Sequence, residues 1–211
     1  MLSPSSNEAA LPIMDLHLYE EYARLLAAGC RKEAAVVLRA FIQAFNSFSE
    51  REQWTGAFLR THAFGAKIRH ELYAEVIFPV LLAGSKRKDA WSLYWLAGTS
   101  QNLYGARQLH EQVGFKDATQ LLKDAFAVDP NSISVRLALL DSLLSRFAHA
   151  AHEWPRGILW GMDGATLEQC NELMREVSLA RELDGDRSRA TLIDEFERKL
   201  HQYRGLLISR S

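Results

Sequence analysis

Apolar residues recur at three- and four-residue intervals from Asp15 onward, and strict alternation is almost absent. That period belongs to helices packed by one face, so the fold class predicted is all-α. The first helix is predicted from Asp15, its N-cap, to Ala28, with Tyr19, Tyr22, Ala23 and Leu26 on one face and Gly29 as its stop. A second helix carries Ala34, Val37, Leu38, Phe41 and Phe45 on one stripe, and the short connection folds it back antiparallel on the first. Ser49 and Glu52 read as a capping box for a third helix with Trp54, Ala57, Phe58 and Thr61. After Gly65 a fourth carries Ile68, Leu72, Val76 and Val80, with Pro79 kinking it near its end. A polar turn at Ser85, Lys86, Arg87 and Lys88 leads to Trp91, Tyr94 and Trp95, and a break at Gly98 to Ser100 precedes Leu103, Tyr104 and Leu109.

From Ser132 a long helix with Ile133, Leu137, Leu140, Leu144 and Phe147 runs to about His152, ahead of Pro155. An apolar, glycine-punctuated loop follows over residues 156–164. Asp163 or Thr166 caps the next helix, whose stripe is Cys170, Leu173, Met174 and Val177. Gly185 and Asp186 mark a stop and a restart before a last helix that buries Ile193, Phe196, Leu200 and Tyr203. About nine helices fit the length, in a single helical domain over 14–208 behind a mobile N-terminal lead-in over 1–13.

Between these helices, Gly114, Phe115, Lys116, Asp117 and Ala118, then Leu121, Leu122, Ala125, Phe126, Asp129 and Pro130, stand at offsets that resemble the second half of a tetratricopeptide repeat. Gly114 permits a tight turn, Ala118 and Ala125 allow close helix contact, and Pro130 stops the helix. In the preceding half Ala106 and Leu109 fit, whereas Asn102 stands where a large apolar residue is usual. Gly29, Ala34 and Leu38 echo the spacing. The resemblance implies a short α-solenoid of antiparallel helical hairpins with a surface that grips a protein segment; the alternative is an irregular helical bundle.

Composition narrows the function. The 211 residues carry 25 basic and 26 acidic side chains, a net charge of −1, which gives no excess to pair with phosphates and argues against a nucleic-acid partner. The longest nearly uncharged run, Val76 to Ser85, is about half of a bilayer span, so no membrane segment is predicted. Residues 1–12 lack the basic start and apolar core of a secretory signal, and Cys30 and Cys170 form no paired motif, which together suggest the cytoplasm.

The candidate chemistry gathers at His149, His152, Glu153, Trp154 and Trp160. Histidines three apart share a helix face, yet a third metal ligand is missing locally, and a cationic ring also suits a helix C-terminus; no metal or other cofactor is assigned. The segment His152-Glu153-Trp154-Pro155 resembles a motif of an uncharacterised bacterial protein family, a likeness that implies no activity. The loop to Trp160 is either a binding surface or an apolar plug. Trp91 and Trp95, with Tyr94, are core or the lining of a peptide-gripping groove. Arg175, Glu176, Arg181, Glu182, Asp194, Glu197 and Arg198 read as a solvated, salt-bridged face. No phosphate-binding loop, nucleophile elbow or Cys–His pairing is evident.

These readings converge on a protein–protein interaction module of adaptor or toxin-immunity type, with an exposed apolar face that could equally close a homodimer. The alternative is a small-ligand or metal-binding protein, or an enzyme, with its site at His149–Trp160.

Overall fold

The computed structural model describes residues 16–209. The lead-in over 1–13 and the N-cap at Asp15 lie outside the described residues. The fold is all-α, and its only strands among the described residues are two of two residues each. The chain falls into two compact units, divided after Phe115.

In the first unit α1 (Leu16–Ala27) and α2 (Arg31–Gln43) form a hairpin. The Gly29 amide bonds to Leu26 O and the Cys30 amide to Leu25 O, the paired bonds of a Schellman stop. α3 (Phe48–Thr61) begins two residues earlier than the Ser49–Glu52 box predicts. Ser47 is the cap, its hydroxyl accepting from the Glu50 amide, and the Glu50 carboxylate reaches back to the Asn46 amide at 2.8 Å.

Residues 62–69 are not helical, so the fourth helix starts later than Gly65 suggests. It comprises α4 (His70–Leu72), a π-helical turn (Tyr73–Ile77) and α5 (Phe78–Lys86). Pro79 lies in the first turn of α5 rather than near the helix end, and the residue four before it, Glu75, lies in the widened turn. The missing N–H and the bulk of the proline ring are thus accommodated by a π turn rather than a late kink.

α6 (Ala90–Gly98) is apolar almost all round and mostly buried. Asp89 caps it, accepting from both the amide (3.0 Å) and the hydroxyl (2.6 Å) of Ser92. A Cβ on Gly84 of α5 would stand 1.9 Å from Ser92 Oγ and 2.6 Å from Ser92 Cβ, which shows how closely α5 and α6 approach. α7 (Ser100–Tyr104) and α8 (Arg107–Gln112) complete the unit, and α8 buries none of its side chains. Gly114 at φ +70° ends α8 with a second Schellman pair, a backbone region that glycine enters without penalty.

The second unit opens with α9 (Ala118–Val128), whose capping box joins Asp117 and Gln120. Leu121, Leu122 and Ala125 are buried against α10 (Ile133–Ala150). The face α10 buries is Val135, Leu139, Leu140, Leu143, Phe147 and Ala150; Ile133 and Leu137, which the sequence pattern places on the core stripe, are exposed. The long helix ends at Ala150, before Pro155 is reached. The loop then forms a hairpin of β1 (Leu159–Trp160) and β2 (Asp163–Gly164), paired antiparallel as Leu159 with Gly164 and Trp160 with Asp163. Its two-residue turn, Gly161-Met162, has positive φ only at Gly161, +66°, the requirement of a type II′ turn.

Thr166 caps α11 (Leu167–Leu183) with a full capping box, and α12 (Ala190–Ser209) closes the unit. Phe147 and Phe196 stack at 4.4 Å between α10 and α12. Ile193, Phe196 and Leu200 are buried as expected, while Tyr203 is half-buried. No helix among the described residues is long and apolar enough to cross a membrane.

Candidate binding cleft

The residues singled out in the sequence around the long helix end lie together in the second unit. His149 is exposed, and its Nε2 is 3.3 Å from Gly161 O. A carbonyl can only accept, so this nitrogen carries the proton and ties the helix end to the hairpin turn. His152 is exposed; Glu153 is half-buried with its carboxylate 3.9 Å from Arg156; Trp154 is half-buried. Trp160 is half-buried beneath the Arg146 guanidinium, 4.4 Å from the ring centroid. The hairpin residue thrust fully into solvent is Met162, 96% exposed at the turn. Among the described residues no group of three or more His, Cys, Asp or Glu is arranged to hold a metal.

Arg146 is also part of a network that the charge pattern misplaces. Glu176 is 7% exposed rather than on a solvated face. Its Oε1 accepts from Lys123 Nζ at 2.7 Å, and Arg146 Nε stands 3.2 Å from Oε2 at an angle that makes an ion pair without a hydrogen bond. Position 176 follows Leu173 by three and precedes Ala180 by four, so the helical period itself turns it inward with them. The surface reading holds for Arg181, which pairs with Asp194 at 2.7 Å and with Glu197.

Trp91 and Trp95 lie in the first unit with ring centroids 6.5 Å apart, Trp95 buried at 7% exposure and Trp91 at the surface at 36%. Phe64 packs on this group, 4.6 Å from Tyr94 and 6.1 Å from Trp95.

A cleft of about 900 Å³ lies elsewhere in the first unit, between α1 and residues 67–72. Three rings, two on α3 and one at its C-cap, line up behind it: Trp54 stacks on Phe58 at 4.8 Å, and Phe58 on His62 at 5.0 Å. Tyr19 of α1 closes on the column edge-first, 5.3 Å from Trp54 and 5.9 Å from Phe58, so an aromatic floor joins α1 to α3. Tyr22, Ala23 and Leu26 continue the α1 wall. Burial raises the phenols of Tyr19 and Tyr22 above their ordinary range, which keeps both neutral and able to donate.

The opposite wall is the extended strap that interrupts the helices. His62 Nε2 donates to Ala66 O at 3.1 Å, and the Gly65 amide bonds to Gly98 O at 2.9 Å. Buried Asn102 accepts from the Ile68 amide at 3.2 Å and donates to Ile68 O at 2.8 Å. Lys67 and Arg69 of the strap, with His70 at the start of α4, line the cleft from this side. Arg69 holds Glu71 in a two-pronged pair at 2.7 and 3.0 Å, and this hydrogen bonding keeps the Glu71 carboxyl below its usual range. Among the described residues no carboxylate is within ion-pair distance of Lys67.

Tyr19, Tyr22, Phe58 and Leu26 stand in the sequence as parts of core stripes, and nothing in their spacing distinguishes a wall from a core. Lys67 and Arg69 come to the cleft because the chain there is extended. A second, smaller cleft of about 490 Å³ in the second unit lies between exposed Ile133 and Leu137 and the turn at residues 183–189. Comparison of the chain with protein-family profiles, curated proteins and solved structures finds no match.

Proposed function

We propose that this chain is a protein-interaction module that takes an apolar segment of a partner protein into the α1–strap cleft. The observation that carries this reading is the aromatic floor open to a space of about 900 Å³. A concavity with aromatic walls and few, fixed polar groups is the usual form of a recognition site, and aromatic side chains give large contact area at low entropic cost. The groups around it supply anchors and charge without a nucleophile placed beside a general base, which favours binding over reaction.

The helical hairpins α1–α2, α5–α6 and α9–α10 are compatible with the tetratricopeptide-like reading, in which such pairs present a partner-binding surface. Neither Cys30 nor Cys170 is in a disulfide, in keeping with a cytoplasmic location.

Capture with tagged wild-type protein beside an Ala23→Trp variant tests the reading, because Ala23 is exposed on the cleft wall and an indole there occupies the space. The expected result is a partner retained by the wild type and lost by the variant while the variant's melting temperature is unchanged. Equal retention by both places the interaction on another surface.

A further inference from the structure

We infer that the occupant of this cleft is an acidic segment, one in which an apolar side chain stands beside an aspartate or glutamate. The inference rests on the cleft being a binding site and goes further in naming what it selects.

Charge is distributed unevenly around the cleft. The α1 wall offers rings and aliphatic carbon from Tyr19, Tyr22 and Leu26, and the ion pair on that helix, Arg24 with Glu21, is self-contained. The strap wall offers two cations and a single carboxylate, and that carboxylate, Glu71, is already claimed by Arg69. What is left facing a ligand is the Lys67 ammonium, exposed and with no carboxylate in ion-pair reach among the described residues, with the imidazole of His70 exposed nearby in sequence. His62 already donates Nε2–H to Ala66 O.

A segment that placed a bare apolar surface in the cleft would fill the floor and leave Lys67 with no partner. One carrying a carboxylate beside its anchor meets both walls at once, the anchor against Tyr19 and Phe58 and the carboxylate against Lys67. The Arg69 fork is engaged with Glu71, so the planar two-pronged grip that best suits a phosphate is not on offer, and a point-charge contact to a carboxylate fits what remains. An acidic partner segment, rather than a basic or neutral one, is therefore the complement of this surface.

The test is selection of random peptides displayed on phage against the intact protein, followed by fluorescence polarisation of synthetic copies of the enriched sequences. The variants are Ala23→Trp, Lys67→Glu and Lys67→Arg. The expected result has three parts. Enriched sequences pair Asp or Glu with Phe, Leu or Trp; Ala23→Trp abolishes their binding; and Lys67→Glu weakens it about tenfold while Lys67→Arg retains it. Enriched apolar sequences without carboxylates, blocked by Ala23→Trp yet indifferent to Lys67→Glu, would overturn acid selectivity and leave the cleft standing as the site. Peptides insensitive to Ala23→Trp, or no enrichment at all, would overturn both. Lys67 is exposed, so its variants are expected to fold, and unchanged thermal melts confirm that the readout is binding.

Discussion

The carboxamide of Asn102 pairs with both main-chain groups of Ile68, 34 residues earlier in the chain, as a neighbouring strand would. The pairing explains the polar residue at a position where a repeat would carry a bulky apolar one. Asn102→Leu removes both bonds and strands a buried N–H and a buried C=O, at about 1–3 kcal/mol for each unpaired group. The expected outcome in urea unfolding is a loss of about 3 kcal/mol, accompanied by faster amide exchange at Ile68. Unchanged exchange at Ile68 would mean that the strap is held by something else.

Thr55 predicts the opposite sign. Its hydroxyl is fully buried in α3 and has no hydrogen-bond partner among the described residues. Thr55→Val keeps the branched shape and removes the desolvated oxygen, so stability should rise by about 1 kcal/mol, seen as a higher melting temperature in calorimetry. A decrease would show that the hydroxyl is paired in solution.

Tyr73 sets an alkaline limit. The residue is fully buried; burial lifts its phenol well above the ordinary 10.0, and the hydrogen bond with Thr99 opposes the shift in part. A raised folded-state value means that the folded protein holds this proton more tightly than the unfolded chain. The stabilisation is therefore complete below the ordinary value and is lost as pH climbs past it toward the folded one. Melting temperatures measured from pH 8 to 11 should fall above about pH 10. The fall should be shallower in Tyr73→Phe, though not absent, because Tyr19, Tyr22 and Tyr94 shift in the same direction.

Glu176 holds two cations in the second unit, and Glu176→Ala leaves Lys123 and Arg146 without the carboxylate between them. Breaking a buried pair costs about 3–5 kcal/mol, and the partial exposure of both cations lowers the expectation here to about 2 kcal/mol. Trp160 fluorescence should change in the same variant, because Arg146 is positioned by Glu176 and covers that ring. An unfolding free energy within about 0.5 kcal/mol of wild type would show that the network adds no stability.

The helices and most of their stops were legible because each is encoded locally. Gly29, Gly114, Ser132 and Thr166 carry their information within a few residues of the boundary they set. The cap of α3 was displaced because Ser47 and Ser49 stand two apart and either precedes an acidic residue by three. Strands of two residues leave no alternation to detect, so the hairpin at Trp160 showed itself only as glycines. The cleft was illegible for a different reason. Its strap is extended because of Asn102 and Gly98, partners that spacing within the strap cannot reveal, and a half-covered aromatic has the same period as a covered one. Glu176 could have been found, since its place between Leu173 and Ala180 on the buried face is a matter of counting.

The space at Gly84 carries a consequence for inheritance. A side chain there meets Ser92 Cβ as well as Oγ, so rotating the serine gives no relief, and the same serine anchors the cap that begins α6. Position 84 cannot gain a side chain alone without moving a helix. Among descendants of this sequence, a chain that gains alanine at 84 should be found with glycine at 92, the two sites drifting as a linked pair while the apolar positions around them vary freely in kind.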